Sequence, residues 1–255
     1  MVVMVIFALY LGWCIVDRHE ESASIAILGF HDIVSDEAKD NEARFQMWVA
    51  GERSFRAQMA YLKEQGYQTW SLDDLDAWYC GEKEISGKIV VLTFDDGYVS
   101  AATRITTILQ EYGFQGATFV IGSVVEDQKP DDATLQRYVS KEDLANQTTM
   151  HYYSHTYHLH DYSQGQYAID RKSKTELQED FNIQQQIVDC SYVAYPYGHA
   201  NAAMIDVLKE NHVKLAFGYH ENRKATRKDD RYQLPRFSVN AYTSMDSFRL
   251  MLESK

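Results

Sequence analysis

At 255 residues, with 45% hydrophobic and 24% charged side chains, the chain has the size and balance of one folded domain with a substantial core, and is too short for two comfortable ones. Its 25 lysines and arginines stand against 37 aspartates and glutamates, a formal net charge of -12 without a dense basic cluster, which argues against nucleic acid and other polyanions as partners. The three cysteines, Cys14, Cys80 and Cys190, have no close spacing, so a thiolate metal site is excluded and a single Cys80 to Cys190 disulfide stays open.

In chain order, the first element is Val2 to Val16, fifteen residues without a charge, followed by the polar "DRHEESAS". It falls short of the about 20 residues that cross a bilayer, and suits the core of an export signal or a shallow anchor. Residues 1–22 are therefore expected to form an apolar signal or membrane anchor, and residues 23–255 the folded domain. An extracellular location, secreted or attached to the cell surface, follows from that expectation. Ile25 to Phe30 then reads as a strand, Ser54 to Gly66 as a helix opened by a Ser54 cap and closed by Gly66, and Tyr67 to Trp70 as a short strand. A second helix begins at Ser71, where Ser71 and Asp74 have capping-box spacing. The apolar run through Phe94 is a strand, Ala101 to Gly113 a helix and Ala117 to Gly122 a strand. Helices are expected over Ser140 to Gln147, Thr175 to Val188 and Ala202 to His212. Strands are expected over Ser191 to Tyr195, Lys214 to Tyr219 and near Tyr232 to Val239, before a closing helix from Met245. Strands alternating with helices predict parallel pairing through right-handed crossovers, in an open α/β sheet or a barrel.

In parallel α/β architectures, ligands sit at the carboxyl ends of the strands. At one such end stands "TFDDG", Thr93 to Gly97. Successive strand residues point to opposite faces, so Asp95 and Asp96 share a site only where the backbone leaves the strand, as Gly97 permits. Two carboxylates that close call for a positive partner, most economically a metal ion. Other reactive residues also follow strand-like runs: His31 and Asp32 after Phe30, and Pro196, Tyr197 and Gly198 after Tyr195. His151, His155, His158 and His160 lie within ten residues of one another. Two imidazoles and one carboxylate are a frequent ligand set for a hydrolytic metal, and also serve non-haem iron oxygenases. His155 and His160, five apart, would need a turn to converge, whereas His155 and His158 could share a helical face.

The ordered stretches "TFDDG", "SHTYHLH" and "AYPYG", preceded by "GFHDI", resemble the leading motifs of the polysaccharide deacetylases, the NodB-like carbohydrate esterase family 4. The nearest likeness is to the branch that N-deacetylates poly-β-1,6-N-acetylglucosamine in biofilms, and it runs from about Ile25 to the "LPR" stretch. The resemblance implies a single-domain, distorted (β/α)7 barrel acting on a polysaccharide; a monomer is expected. It implies Asp95 as general base, and Asp96, His155 and His160 as ligands of a divalent metal, zinc before cobalt, nickel or iron. His158 falls at a variable position. It further implies a charged His31 as general acid and the backbone N–H of Tyr197 in an oxyanion hole.

Two departures refine this expectation. The wider family has an arginine three residues before the "PY" proline, bracing the catalytic aspartate; here Val193 stands there, which favours the narrower branch. Arg236 in "LPR" is the candidate substitute, and Tyr197 and Arg236 are the expected substrate-binding residues. The wider family's late Leu-x-His motif is not evident either, which leaves its work to His31. Rival readings are a deacetylase of peptidoglycan or chitooligosaccharides, an acetylxylan esterase, and a sugar-binding module without catalysis. Tyr98, Tyr157, Tyr162, Tyr195 and Tyr197 surround the motifs, either as strand residues or as faces for sugar rings.

Overall fold

The computed structural model describes residues 23–127, 137–146, 148–219 and 221–254. Its first half runs β1 (Ser24–Phe30), β2 (Asp32–Val34), α1 (Asp36–Asn41), β3 (Val49–Gly51), α2 (Glu52–Glu64), β4 (Tyr67–Thr69), α3 (Leu72–Tyr79) and β5 (Lys88–Phe94). Next come α4 (Arg104–Tyr112), β6 (Gly116–Val120), α5 (Lys141–Ala145), β7 (Met150–Ser154), β8 (Tyr162–Ser163), β9 (Gln166–Tyr167), α6 (Ala168–Arg171) and α7 (Lys174–Gln184). The chain finishes with β10 (Asp189–Ala194), α8 (Ala202–Glu210), β11 (Leu215–Phe217), β12 (Ala225–Thr226), β13 (Phe237–Ser238) and α9 (Met245–Glu253).

The main sheet follows the order β11-β10-β7-β6-β5-β1, with β13 parallel to β1, β4 parallel to β5, and β12 antiparallel to the start of β1. Every pairing along that path is parallel. The curled sheet closes through the segment around Arg236: Leu234 bridges Phe217 of β11, and three residues later Phe237 pairs with Leu28 of β1. This is the expected distorted barrel, and Arg236 lies on its seam.

Period two along the strands sorts the side chains into two layers. Leu28 and Phe30 of β1, with Val90, Leu92 and Phe94 of β5, meet Phe55, Met59 and Leu62 of α2 and Ile105, Ile108 and Leu109 of α4. The alternate residues Ile25, Ile27, Val91, Phe119, Tyr192 and Phe217 meet inside the barrel, joined by Leu75 and Trp78 of α3. Carried past the strand ends, the inward register of β1 and β5 reaches His31 and Asp95, the two expected catalytic groups.

Some expectations are corrected. Helix α2 is capped by Gly51 rather than Ser54, because Asp36 Oδ1 accepts the Arg53 N–H at 3.1 Å and starts the helix two residues before Ser54. The Ser71–Asp74 capping box forms as expected. Cys80 is exposed and Cys190 buried, and both are free thiols, so they form no disulfide. The expected N-terminal signal or anchor, residues 1–22, lies outside the described residues. Among the described residues no helix is long and apolar enough to cross a membrane, so the extracellular, membrane-attached placement is withdrawn; Val2 to Val16 was already short of a span.

Candidate metal and catalytic site

The carboxyl ends of β1, β5, β7, β10 and β11 surround a cavity of about 490 Å³. His31, Trp48, Asp95, Asp96, Tyr98, His155, His160, Tyr197, Tyr219, Asn222 and Ser238 line it. Three strand ends reach it through left-handed backbone at a residue other than glycine: Asp96 (φ 74°) after β5, Thr156 (φ 68°) after β7 and Tyr197 (φ 58°) after β10. Such conformations are strained for side chains with a Cβ and persist where the surroundings enforce them. At Asp96 the turn swings its carboxylate to the same side as that of Asp95. At Thr156 it begins the loop that returns His160 to His155.

Asp180 of α7 fixes that loop, accepting the backbone N–H groups of Tyr157 at 2.9 Å and His158 at 2.8 Å. There is no helix here, and His158 points away, with Nδ1 3.2 Å from Ser123 Oγ. His151 sits four residues before His155, at the opposite end of β7. The convergent pair is thus His155 and His160.

Asp96 Oδ1 stands 3.4 Å from His155 Nε2 and 3.3 Å from His160 Nε2, and it is buried with no hydrogen-bond partner among the described residues. Two atoms each about 2.05 Å from a tetrahedral ion lie about 3.3 Å apart, so the spacing fits a common cation. The ligand atoms of the three residues all lie within 4.8 Å of one another. His155 Nδ1 faces the Ala194 carbonyl oxygen at 2.8 Å, which directs a bare Nε2 at the centre. Burial alone would lower the His155 imidazole, but the Asp96 carboxylate more than reverses it. Burial likewise opposes ionisation of Asp96, and the neighbouring imidazoles hold it below the ordinary range nonetheless. The trio therefore favours positive charge at its centre.

Asp95 stays outside the trio. Arg236 Nη1 and Nη2 donate to its Oδ1 and Oδ2, both at 2.8 Å, and the Tyr219 hydroxyl donates to Oδ2 at 3.0 Å. Burial pushes Asp95 up, yet the Arg236 charge wins and holds it well below the usual carboxylate range. Arg236 is fully buried, its guanidinium 4.1 Å from the Tyr219 ring centre, and it is absent from the cavity wall. Two roles were expected of Arg236; its side chain lies behind Asp95, where the substitute for the bracing arginine was expected, and away from the cavity wall where substrate would be. Tyr197, by contrast, lines the cavity, with its ring 4.4 Å from that of His160.

His31 packs against Trp48, ring centres 4.6 Å apart. Burial lowers its pKa below 6.5, and the nearby Asp96 and Asp95 recover only part of this. Burial of the resting site thus works against the charged His31 that was expected. Trp48 and Tyr219 escaped the sequence reading. Tyr219 was legible as the next inward position after Leu215 and Phe217; Trp48 sits in a loop without periodicity and carried no such signal.

Residues 82–216 match the polysaccharide deacetylase family. The chain belongs to that family. It is thereby a hydrolase of the class that acts on the amide bonds of N-acetyl sugars. Poly-beta-1,6-N-acetyl-D-glucosamine N-deacetylase of Escherichia coli (strain K12) is 26% identical over 218 residues, covering 71% of this deacetylase and 32% of the relative. The deacetylase thus spans about a third of that relative's length. The protein of the same name from Staphylococcus aureus (strain MSSA476) is 19% identical, covering 88% and 81%. Among solved structures, Streptococcus pyogenes deacetylase PplD in complex with acetate superposes with a TM-score of 0.74 at 19% identity, covering 91% of this chain and 99% of that one. IcaB from Ammonifex degensii gives 0.71 at 21% identity, covering 89% and 94%. These likenesses show a shared fold.

Proposed function

We propose that this polysaccharide deacetylase is metal-dependent and removes N-acetyl groups from poly-β-1,6-N-acetylglucosamine, releasing acetate. The carrying observation is that Asp96, His155 and His160 converge at cation spacing while Asp95, the adjacent carboxylate, is held apart from them in the same cavity. The names of the Escherichia coli and Staphylococcus aureus relatives support the choice of polymer.

Asp96, His155 and His160 would hold the ion, with zinc the first choice and cobalt, nickel or iron compatible with the same donors. A divalent ion there supplies an acidified water and a polarised acetyl carbonyl. Asp95 accepts a proton from the attacking water, since the Arg236 brace keeps it ionised and oriented. So depressed a carboxylate does not keep that proton. The neutral His31 on the cavity wall takes it up and delivers it to the departing glucosamine nitrogen. To the backbone N–H of Tyr197 we assign the donor role toward the developing oxyanion, a kind of contact worth roughly 3 to 4 kcal/mol when one donor is removed.

Protein loaded with zinc and incubated with β-1,6-linked N-acetylglucosamine oligomers should release acetate, and Asp95→Asn should release almost none. Equal release by the two proteins would overturn the assignment of Asp95. Faster turnover of β-1,4-linked oligomers would transfer the reading to chitooligosaccharides or peptidoglycan.

A further inference from the structure

We infer that the β8–β9 hairpin carries a second sugar subsite, in which Tyr162, Tyr167 and Tyr197 form an aromatic platform for the residue of the polysaccharide next to the one being deacetylated. This inference rests on the polysaccharide reading of the cavity. Its starting point is an array of rings that the chemistry above does not use. From His160, whose Nε2 faces Asp96, the rings continue outward without a break. Tyr197 is 4.4 Å from His160, Tyr167 is 5.3 Å from Tyr197, and Tyr162 is 4.9 Å from Tyr167 and 6.5 Å from Tyr197. Tyr162 is 54% exposed and Tyr197 45%. A contiguous exposed aromatic patch that adjoins a reaction cavity marks a binding surface rather than a core.

The platform is also preorganised. Gln164 (φ 54°) and Gly165 (φ 77°) both turn left-handed, the signature of a two-residue hairpin turn that matches strand twist. Arg171 donates to the Ser163 carbonyl at 3.0 Å and pairs with Asp161, tying the hairpin to α6. The His199 ring stacks on Tyr167 at 4.4 Å and backs the Tyr167 face. A pyranose offers an apolar C–H face inside a rim of hydroxyls. Tyrosine suits both, with an apolar ring and a polar edge. Continuity through Tyr197 with the cavity makes the occupant a neighbouring sugar of the same chain.

The test is acetate release from β-1,6-linked N-acetylglucosamine oligomers of two to six residues. Catalytic efficiency of the wild-type protein should rise with length. Tyr162→Ala should flatten that rise, with about a tenfold loss on the hexamer carried mainly by KM, while Tyr162→Phe restores it; Leu250→Ala, on the exposed face of α9, is the neutral control. An equal loss at every length would mean a structural role and overturn the subsite, as would an unchanged length profile. If the wild-type protein turns over no oligomer, the parent reading fails separately. The platform is then judged by hexamer binding followed by intrinsic fluorescence, which Tyr162→Ala should weaken about tenfold. Self-association of the wild-type protein that Tyr162→Ala abolishes, with sugar affinity unchanged, would give the platform to a second copy and overturn the proposal.

Discussion

Arg236 grips Asp95 through two parallel hydrogen bonds of 2.8 Å, with the side chains 0% and 2% exposed. The two residues are 141 positions apart. They meet because Leu234 to Phe237 forms the seam that joins β11 to β1. Closing the barrel and holding the Asp95 carboxylate are thus done by one segment.

Removing one member of a buried pair leaves the other charge unpaired, at a cost of about 3 to 5 kcal/mol. Arg236→Met should therefore lower unfolding stability by that amount and acetate release by more than a hundredfold. Arg236→Lys keeps the charge but loses the two-pronged geometry, and should recover part of the stability and little of the activity. Denaturant unfolding and turnover measured side by side check both. Stability of Arg236→Met within 1 kcal/mol of wild type would contradict the brace.

The resting state of His31 gives a pH prediction. Its folded pKa is lowered from 6.5 by burial, so below 6.5 the unfolded chain binds a proton that the folded site resists. Stability from this group is full above pH 6.5 and declines as pH falls from 6.5 to the folded value. The groups facing it are Asp95, Asp96, Arg236, His155, Trp48 and Tyr219. Asp95 and Asp96 are depressed instead, so their contribution is lost only below about 3.8, in a separate window. In metal-loaded protein, His31→Gln should flatten the decline of unfolding midpoint between pH 6.5 and 4.5 relative to wild type. Parallel profiles for the two proteins would refute a buried neutral His31.

How much of this was written in the chain is seen by comparing residues. Asp95 and Asp96 were legible because a β-branched run stopping at two acids and a glycine has few uses, and alternation along β1 carries the inward face from Ile25 to His31. The capping box at Ser71 was equally local. The partner of Asp95 was not local: Arg236 came forward only through the resemblance, as the candidate for a missing arginine, and the topology supplies the reason, since Arg236 lies on the closing seam. The histidine stretch hid β7, since "MHYYS" lacks the apolar alternation of a half-buried strand and is instead covered on both faces. His155 and His160 could not be singled out by spacing, because their convergence depends on the left-handed turn at Thr156.

Metal occupancy should register in stability. The buried Asp96 oxygen has no hydrogen-bond partner among the described residues, and a cation there satisfies it. A ligand at a hundred times its Kd stabilises the folded state by about 2.7 kcal/mol. Wild-type protein stripped with a chelator should thus unfold several degrees lower than zinc-loaded protein, and Asp96→Asn should show no such difference. Coincident melting curves for stripped and loaded wild type would rule the trio out as a metal site.

Gly29 gives the sharpest steric test of how Asp95 is held. It faces inward on β1, and a Cβ built on it would meet the Tyr219 hydroxyl oxygen at 2.1 Å and two ring carbons at 2.7 and 2.8 Å. Tyr219 has little room to yield: its backbone and Cβ lie close against Gly198, Arg236 lies 4.1 Å from the ring centre, and its hydroxyl bonds Asp95. Gly29→Ala should therefore destabilise the protein by about 1 to 3 kcal/mol, the range for overpacking a core. It should lower kcat about tenfold and leave zinc content unchanged, because Asp96, His155 and His160 are not displaced. Adding Tyr219→Leu to Gly29→Ala removes the clashing ring atoms, so the double variant should regain stability without regaining activity, a non-additive result expected of residues in contact. Unfolding midpoints, zinc content and acetate release for Gly29→Ala, Tyr219→Leu and the double variant decide the matter. A Gly29→Ala protein with wild-type kcat would show that Asp95 needs no hold from Tyr219.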